Sequence, residues 1–170
     1  QILVKWNDTR TEYPKDTCIH KLFEAQADRT PDSVAVVLEN QHLTYHELNA
    51  RANQLAHYLQ GLGVRPEVLV GLCVDRSVEM VVGILGILKA GGAYAPFDLL
   101  APPERLAFML NDAKVDLLLT HEHLLARLPE HGLHTVCLNE EGNEIQTQPD
   151  TRLGVSVGAA VGVGVSVGAG

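Results

Sequence analysis

By type and spacing, the residues best suited to chemistry are His121, Glu122 and His123. Imidazoles and carboxylates bind Zn²⁺, but residues two apart on a helix face different directions and cannot share an ion, whereas on a strand they can. No other group of metal-ligating residues lies near them in sequence. Because residues 121–128 are predicted to form a short helix, we interpret the triplet as the solvated start of that helix and predict no metal-binding residue.

A second pattern, Gly-x-Ser-x-Gly, occurs around Ser156 and again around Ser166. In an α/β-hydrolase this pattern forms the nucleophile elbow, and the acid and the histidine of the triad follow the serine in the chain. No Asp, Glu or His follows Asp150 in this sequence. We therefore predict no catalytic residue.

The glycines of residues 162–168 have the spacing of a dinucleotide-binding fingerprint. Such a loop works because it opens a helix whose N-terminal amides face the pyrophosphate. Only two residues follow Gly168, so no helix can follow the glycines here. We predict no cofactor-binding residue.

Charged residues also stand beside predicted strand ends and helix starts. We interpret the pairs Asp75-Arg76 and Glu104-Arg105 as surface or capping charges rather than catalytic pairs. Asp98 follows a predicted strand, where a carboxylate usually caps backbone amides.

Composition narrows the class of function. The net charge is −8 and no run of Lys or Arg occurs, which argues against binding to nucleic acid. The longest apolar helical run, residues 78–90, is too short to span a bilayer, so a membrane protein is not expected. Cys18, Cys73 and Cys137 have no paired spacing, which fits a reducing, cytoplasmic compartment.

Strand-like and helix-like runs alternate along the chain, which implies crossover connections. The predicted fold class is therefore α/β, a mostly parallel sheet with flanking helices. The strongest helix signal starts at Thr44, which forms a capping box with Glu47. The predicted core face of that helix is Leu48, Ala52, Leu55, Leu59 and Leu62. The other predicted helices cover 18–29 (N-cap Asp16 or Thr17), 77–90, 121–128 and a run from Pro102 or Pro103; the predicted strands cover 34–38, a run from 43, 68–74, 93–97, 115–120 and 135–138.

The last part of the chain, residues 151–170, is a low-complexity segment. Only Gly, Val, Ala and Ser follow Leu153, and no charge occurs from there on. We predict a disordered or weakly extended tail, since glycine raises the entropy cost of ordering it. The alternation of Val with small residues leaves open an added strand or self-association. The small-residue spacing also leaves open a membrane helix.

Several longer motifs follow one another in a fixed order, and together they resemble one family. They are Trp6-Asn7-Asp8-Thr9, Cys18-Ile19-His20-Lys21-Leu22-Phe23, Thr30-Pro31-Asp32, Leu43-Thr44-Tyr45-His46-Glu47-Leu48, Leu88-Lys89-Ala90-Gly91-Gly92-Ala93-Tyr94-Ala95-Pro96-Phe97-Asp98 and Glu104-Arg105-Leu106. This set resembles the N-terminal part of an amino-acid adenylation domain of a nonribosomal peptide synthetase, within the adenylate-forming, AMP-binding enzyme family. Two positions depart from the family pattern, Leu99 and Ala101, where the family usually has proline and tyrosine.

The resemblance implies three parts. Residues 1–30 look like the linker that joins a condensation domain to an adenylation domain, and include the first helix. Residues 31–150 look like a partial adenylation domain, the N-terminal subdomain. Residues 151–170 are the low-complexity tail.

The resemblance also implies a reaction for full-length relatives. Using ATP and Mg²⁺, they convert an amino acid to aminoacyl-AMP and load the thiol of a carrier domain. The family's phosphate loop, adenine pocket and catalytic lysine lie in later motifs that have no match here. The matched motifs are scaffold in the family, so no site residue carries over.

Two functions follow as hypotheses. The first is a fragment of an adenylation domain, truncated before the phosphate loop and inactive alone, without a cofactor of its own. The alternative is an interaction module that docks a condensation domain or complements a separately encoded remainder.

Overall fold

The structure is a computed structural model that describes residues 16–139 and 144–154. It contains four α-helices and six strands within these ranges. The helices are α1 (Ile19–Arg29), α2 (Tyr45–Gly61), α3 (Val78–Ala90) and α4 (Pro103–Asp112). The strands are β1 (Val34–Leu38), β2 (Gln41–Thr44), β3 (Leu69–Cys73), β4 (Ala93–Pro96), β5 (Leu117–Thr120) and β6 (His134–Cys137), and two 3₁₀ helices cover Glu122–Arg127 and Glu144–Thr147.

The central sheet has the strand order β4-β3-β5-β6, and every pair in it is parallel. This confirms the predicted α/β class. β1 and β2 form a separate antiparallel hairpin. In β5, Leu117 and Leu119 face the core formed with α2 and α3, whereas Leu118 faces the core formed with α4. Successive side chains of a strand point to opposite faces, so the sheet is buried on both sides and its strands are apolar throughout.

The close approach of α2 and α3 depends on Gly86. A Cβ placed on Gly86 would lie 2.6 Å from Cδ2 and 3.0 Å from Cβ of Leu55. Leu55 is fully buried on α2, in the core that both helices share. Glycine at this position therefore lets the two helix backbones pack more tightly than any other residue would.

Several element ends differ from their predictions. The N-cap of α1 is Cys18, not Asp16 or Thr17, and it makes no side-chain capping bond. Leu62 follows the end of α2 and is 39% exposed, so it does not belong to the core face of that helix. The polar stretch after residue 138 contains the short 3₁₀ helix Glu144–Thr147.

The capping box at the start of α2 is confirmed. The Thr44 hydroxyl accepts a hydrogen bond from the Glu47 backbone N–H at 3.2 Å, and the Glu47 carboxylate accepts one from the Thr44 backbone N–H at 2.8 Å. Thr44→Ala removes the first of these bonds and is expected to lower the free energy of unfolding by about 1 kcal/mol. Urea unfolding checks this value. Thr44→Ser keeps the hydroxyl and serves as the control; an equal loss in both variants would contradict a capping role.

The apolar helices of the described ranges are short. None of them has the length and hydropathy needed to span a bilayer. The tail predicted for residues 151–170 lies outside the described residues from Val155 onward.

Candidate functional site

The carboxyl ends of β3 and β5 form the candidate site. The two strands are neighbours, with Cys73 opposite Thr120. From β3 the chain moves to β4 on one side, and from β4 it crosses to β5 on the other side. In open parallel sheets, ligands bind in the crevice beyond such a reversal of strand order. Residues that follow β3 and β5 therefore meet where a ligand site is expected.

Four polar side chains meet at this edge. His123 Nε2 lies 2.9 Å from Asp75 Oδ2, and the rings of His121 and His123 stack with centroids 5.4 Å apart. The Ser77 hydroxyl lies 3.4 Å from His121 Nε2 and also accepts a bond from the Met80 backbone N–H. Asp75, His121 and His123 each offer one ligand atom within 4.8 Å of the others. The site thus contains two imidazoles, one carboxylate and a hydroxyl.

A hydrogen bond joins the ends of β3 and β5 beneath these polar side chains, next to a buried thiol. The Thr120 hydroxyl donates a 2.7 Å hydrogen bond to the Cys73 carbonyl, which fastens the last residues of β3 and β5 to each other. Cys73 itself is buried, and burial raises the pKa of its thiol to about 11. At neutral pH the thiol is therefore protonated and contributes no charge to the site.

His121 is the most enclosed member of the cluster, with 3% of its surface exposed. Burial lowers the pKa of its imidazole, against the opposing effect of the Glu79 carboxylate. Its Nδ1 atom is buried and has no hydrogen-bond partner among the described residues. A neutral imidazole with an unsatisfied buried nitrogen is a group that a ligand could still engage.

The interpretation of residues 121–123 as a solvated helix start is wrong for His121. The 3₁₀ helix begins at Glu122, and His121 keeps an extended backbone with φ −106° and ψ 148°. The extended residue continues the direction of β5, so His121 turns inward and both imidazoles meet on one side. Asp75 is exposed, as predicted for a surface charge, but it is paired with His123. The position of Asp75, two residues after the end of the strand next to β5, could have indicated the cluster.

The other charged positions fit their predicted roles. Asp98 Oδ1 accepts a 2.8 Å hydrogen bond from the Leu100 backbone N–H, so its carboxylate caps a backbone amide. Glu104 and Arg105 are exposed in the first turn of α4.

A second polar cluster, the Lys89 network, lies buried between α1, α2 and α3. The Lys89 ammonium donates to Glu24 at 2.6 Å and to the side-chain oxygens of Asn49 and Asn53 at 2.9 Å each. These three bonds use all three N–H groups of the ammonium. Burial would raise the pKa of Glu24, but hydrogen bonds from Lys89 and Lys21 outweigh it and hold that pKa below its ordinary value. The network joins the first helix to the body of the fold.

Through Asn53, the Lys89 network is linked to residues 146–152, which include the first two residues of the predicted tail. The Asn53 amide donates to the Asp150 carbonyl at 2.6 Å, and Gln54 donates to the Gln146 carbonyl at 3.0 Å. His57 Nε2 lies 2.9 Å from the Thr151 carbonyl, so this nitrogen carries the proton. Arg152 pairs with Asp28 on α1. Residues 146–152 therefore lie along α2 and reach α1.

Comparison with known proteins places these features in a family. A family profile described as AMP-binding enzyme matches residues 23–159. The chain belongs to the AMP-binding enzyme family. It is 52% identical over 141 residues to a component of the linear gramicidin synthase of Brevibacillus parabrevis, a match that covers 83% of this chain and 3% of the relative.

Solved structures of other proteins share the fold of this chain. The nonribosomal peptide synthetase FmoA3, bound to α-methyl-L-serine-AMP, has a TM-score of 0.77 and 34% identity, covering 84% of this chain and 16% of that one. The N-terminal subdomain of NpsA from Klebsiella oxytoca has the same fold, with a TM-score of 0.71 and 22% identity, covering 84% of this chain and 35% of that one. This chain of the AMP-binding family thus corresponds to part of an N-terminal adenylation subdomain and spans a small fraction of its relatives' length.

In this AMP-binding family chain, the motif at residues 88–98 has a structural role. Gly91 ends α3 with φ 96°, a left-handed conformation that glycine adopts without strain. Lys89 is fully engaged in its buried network, and Ala93–Pro96 is strand β4. Sequence reasoning did not predict the network, although a lysine near the end of a helix that is apolar almost all round was an available signal.

Proposed function

We propose that this chain is the N-terminal layer of an adenylation domain that activates an amino acid with ATP and passes it to a carrier thiol. The observation that supports this most is the similarity to FmoA3, whose structure holds an aminoacyl-AMP. The linear gramicidin synthase similarity supports a role in building a peptide secondary metabolite. Condensation and carrier domains would then be its partners.

We further propose that the chain is inactive by itself. Binding of nucleotide phosphates needs converging backbone N–H groups, a free lysine and a metal. Among the described residues, Lys89 is buried with its three N–H groups in use, and the cluster at the sheet edge presents imidazoles and a carboxylate. These groups do not fit a triphosphate with Mg²⁺, so no step of the adenylation reaction is assigned to them.

The isolated chain is expected to show no amino-acid-dependent exchange of radiolabelled pyrophosphate into ATP, for any of the common amino acids. A chimera tests the scaffold role directly. In it, residues 18–152 replace the aligned segment of the matching adenylation domain of the linear gramicidin synthase relative. We expect the chimera to keep the exchange activity of its parent domain, because the scaffold is equivalent.

The isolated chain and the chimera test two separate proposals, and either proposal can fail without the other. Exchange activity in the isolated chain would contradict its inactivity. A folded chimera that binds its amino acid but has lost exchange would contradict the scaffold role. The parent domain and a chimera with the exposed change Lys114→Ala are the matched controls.

Exposed apolar side chains favour a second candidate function, complementation of a separately encoded remainder. Leu100 is 86% exposed and Phe108 on α4 is 67% exposed. In this second function, these two side chains would contact the separately encoded part. If this function holds, the chain mixed with the rest of the parent domain, expressed separately, will restore exchange, and Phe108→Ser will weaken that restoration. A cytoplasmic location is proposed with both functions, since Cys18 and Cys73 carry free thiols.

A further inference from the structure

We propose that Asp75, His121 and His123 form a binding site for a divalent transition-metal ion, with Zn²⁺ as the best match. This site goes beyond the proposed function, because it is separate from any nucleotide chemistry. It also departs from the sequence-based prediction that the chain has no metal-binding residue.

The chemistry of the donors selects the ion. Two imidazoles and a carboxylate are ligands that Zn²⁺ binds readily, and such three-residue sets leave a fourth position open. Mg²⁺ prefers oxygen ligands in octahedral geometry and retains its water, so two imidazoles disfavour it. The site is therefore expected to discriminate against the ion that accompanies ATP.

The distances allow a tetrahedral ion after a small adjustment. The three ligand atoms lie within 4.8 Å of one another. Zn–N and Zn–O bonds of about 2.0–2.1 Å place tetrahedral ligands about 3.3 Å apart. The side chains of His123 and Asp75 are 58% and 53% exposed, so they can close this gap by rotation without moving packed groups.

The fold also preorganises the site. The hydrogen bond from Thr120 to the Cys73 carbonyl fixes the ends of the two strands that carry the ligands. His121 is held by burial, with Ser77 at one ring nitrogen and no described partner at the other. An ion would satisfy this imidazole while the Ser77 hydroxyl orients it, as neighbouring polar groups do for metal-binding histidines.

A purely stabilising role would not explain the arrangement of Asp75, His121 and His123. An exposed contact such as that between Asp75 and His123 contributes little to stability. It does not account for the buried Nδ1 of His121, which has no partner within residues 16–139 and 144–154 and so carries a free-energy cost. Metal binding accounts for the pair, the stacked rings and the unsatisfied nitrogen together.

Titration of the untagged, metal-free chain with ZnCl₂ tests the site by calorimetry. We expect one equivalent to bind, and an excess of MgCl₂ to leave the titration unchanged. His123→Ala and Asp75→Asn each remove one exposed ligand and are expected to weaken binding by at least the factor of about 10–100 that supporting residues contribute.

Two variants serve as matched controls. His46→Ala removes an exposed imidazole from the first turn of α2, and Glu122→Gln neutralises a carboxylate that lies between the two histidines in sequence but outside the cluster. Both are expected to bind Zn²⁺ like the unaltered chain. Circular dichroism confirms that each variant is folded. Absence of binding by the unaltered chain, or binding that survives both ligand changes, would overturn the proposal.

Discussion

Replacing Lys89 by methionine is expected to lower the free energy of unfolding by about 3–5 kcal/mol. Methionine fills a similar volume, so the loss is electrostatic rather than steric. The Glu24 carboxylate stays buried and loses its shortest hydrogen bond, keeping the one from Lys21, and the side-chain oxygens of Asn49 and Asn53 lose their donor. Equilibrium unfolding in urea, with fluorescence and circular dichroism as two probes, measures the effect.

Two comparisons separate this explanation from simple loss of a side chain. Lys21→Met removes a largely exposed partner of the same carboxylate and is expected to cost less than about 1 kcal/mol. The double variant with Glu24→Met and Lys89→Met removes both charges and is expected to recover part of the loss. A double variant as unstable as the sum of its single changes would show that the buried charge is not the cause.

The contact between Glu24 and Lys89 also makes the stability of the fold depend on pH. The pKa of Glu24 in the folded chain lies below its ordinary value of 4.5. A carboxyl whose pKa is lowered by folding stabilises the fold above its unfolded value, and this contribution disappears as the pH falls through the folded value. Below pH 4.5 the unaltered chain should therefore lose stability more steeply than the double methionine variant does.

Leu55→Ala is expected to destabilise the fold by about 2–5 kcal/mol, because it leaves a cavity at a fully buried position between α2 and α3. Gly86→Ala is expected to cost about 1–3 kcal/mol through overpacking, partly offset by a gain of about 1 kcal/mol in helix propensity. Its new methyl group would meet Cγ and Cβ of Leu55, so rotation of the leucine alone cannot relieve the contact. Urea unfolding again measures both values.

Combining Leu55→Ala with Gly86→Ala gives a more specific prediction. In the chain with both changes, the methyl group of Ala at position 86 enters space that Leu55 has vacated. The combined loss should be smaller than the sum by about 0.5–3 kcal/mol. Gly83→Ala is the matched control, since its added Cβ would meet Leu72 and Leu138 instead. Additive losses for Leu55 and Gly86 would contradict the proposed helix contact.

Most helices and strands of the fold could be predicted from local patterns in the sequence. The run of apolar residues in β5 predicts a strand buried on both faces, and the capping box fixes the first residue of α2. Each of these signals lies within a few residues of the element that it specifies. The alternation of strands and helices restricts the connections that a parallel sheet can make, but it does not give the strand order β4-β3-β5-β6.

The polar clusters could not be predicted in the same way, because their members are far apart in the chain. Lys89 is 65 positions from Glu24 and 36 from Asn53. Asp75 is 48 positions from His123. In a single sequence nothing marks such pairs as neighbours until the sheet order brings their elements together. Local reasoning also placed His121 in a helix, whereas the structure gives it an extended backbone between the end of β5 at Thr120 and the start of the helix at Glu122.

The contacts between α2 and residues 146–151 have a consequence for how this chain can evolve. Asn53, Gln54 and His57 all bind main-chain carbonyl groups, so they recognise the path of the polypeptide and not the identity of the residues along it. Substitutions in residues 146–151 can accumulate without breaking these hydrogen bonds, as long as the backbone of this segment keeps the same course. Changes to the three side chains of α2 would remove these hydrogen bonds, so selection should act on the helix more than on residues 146–151.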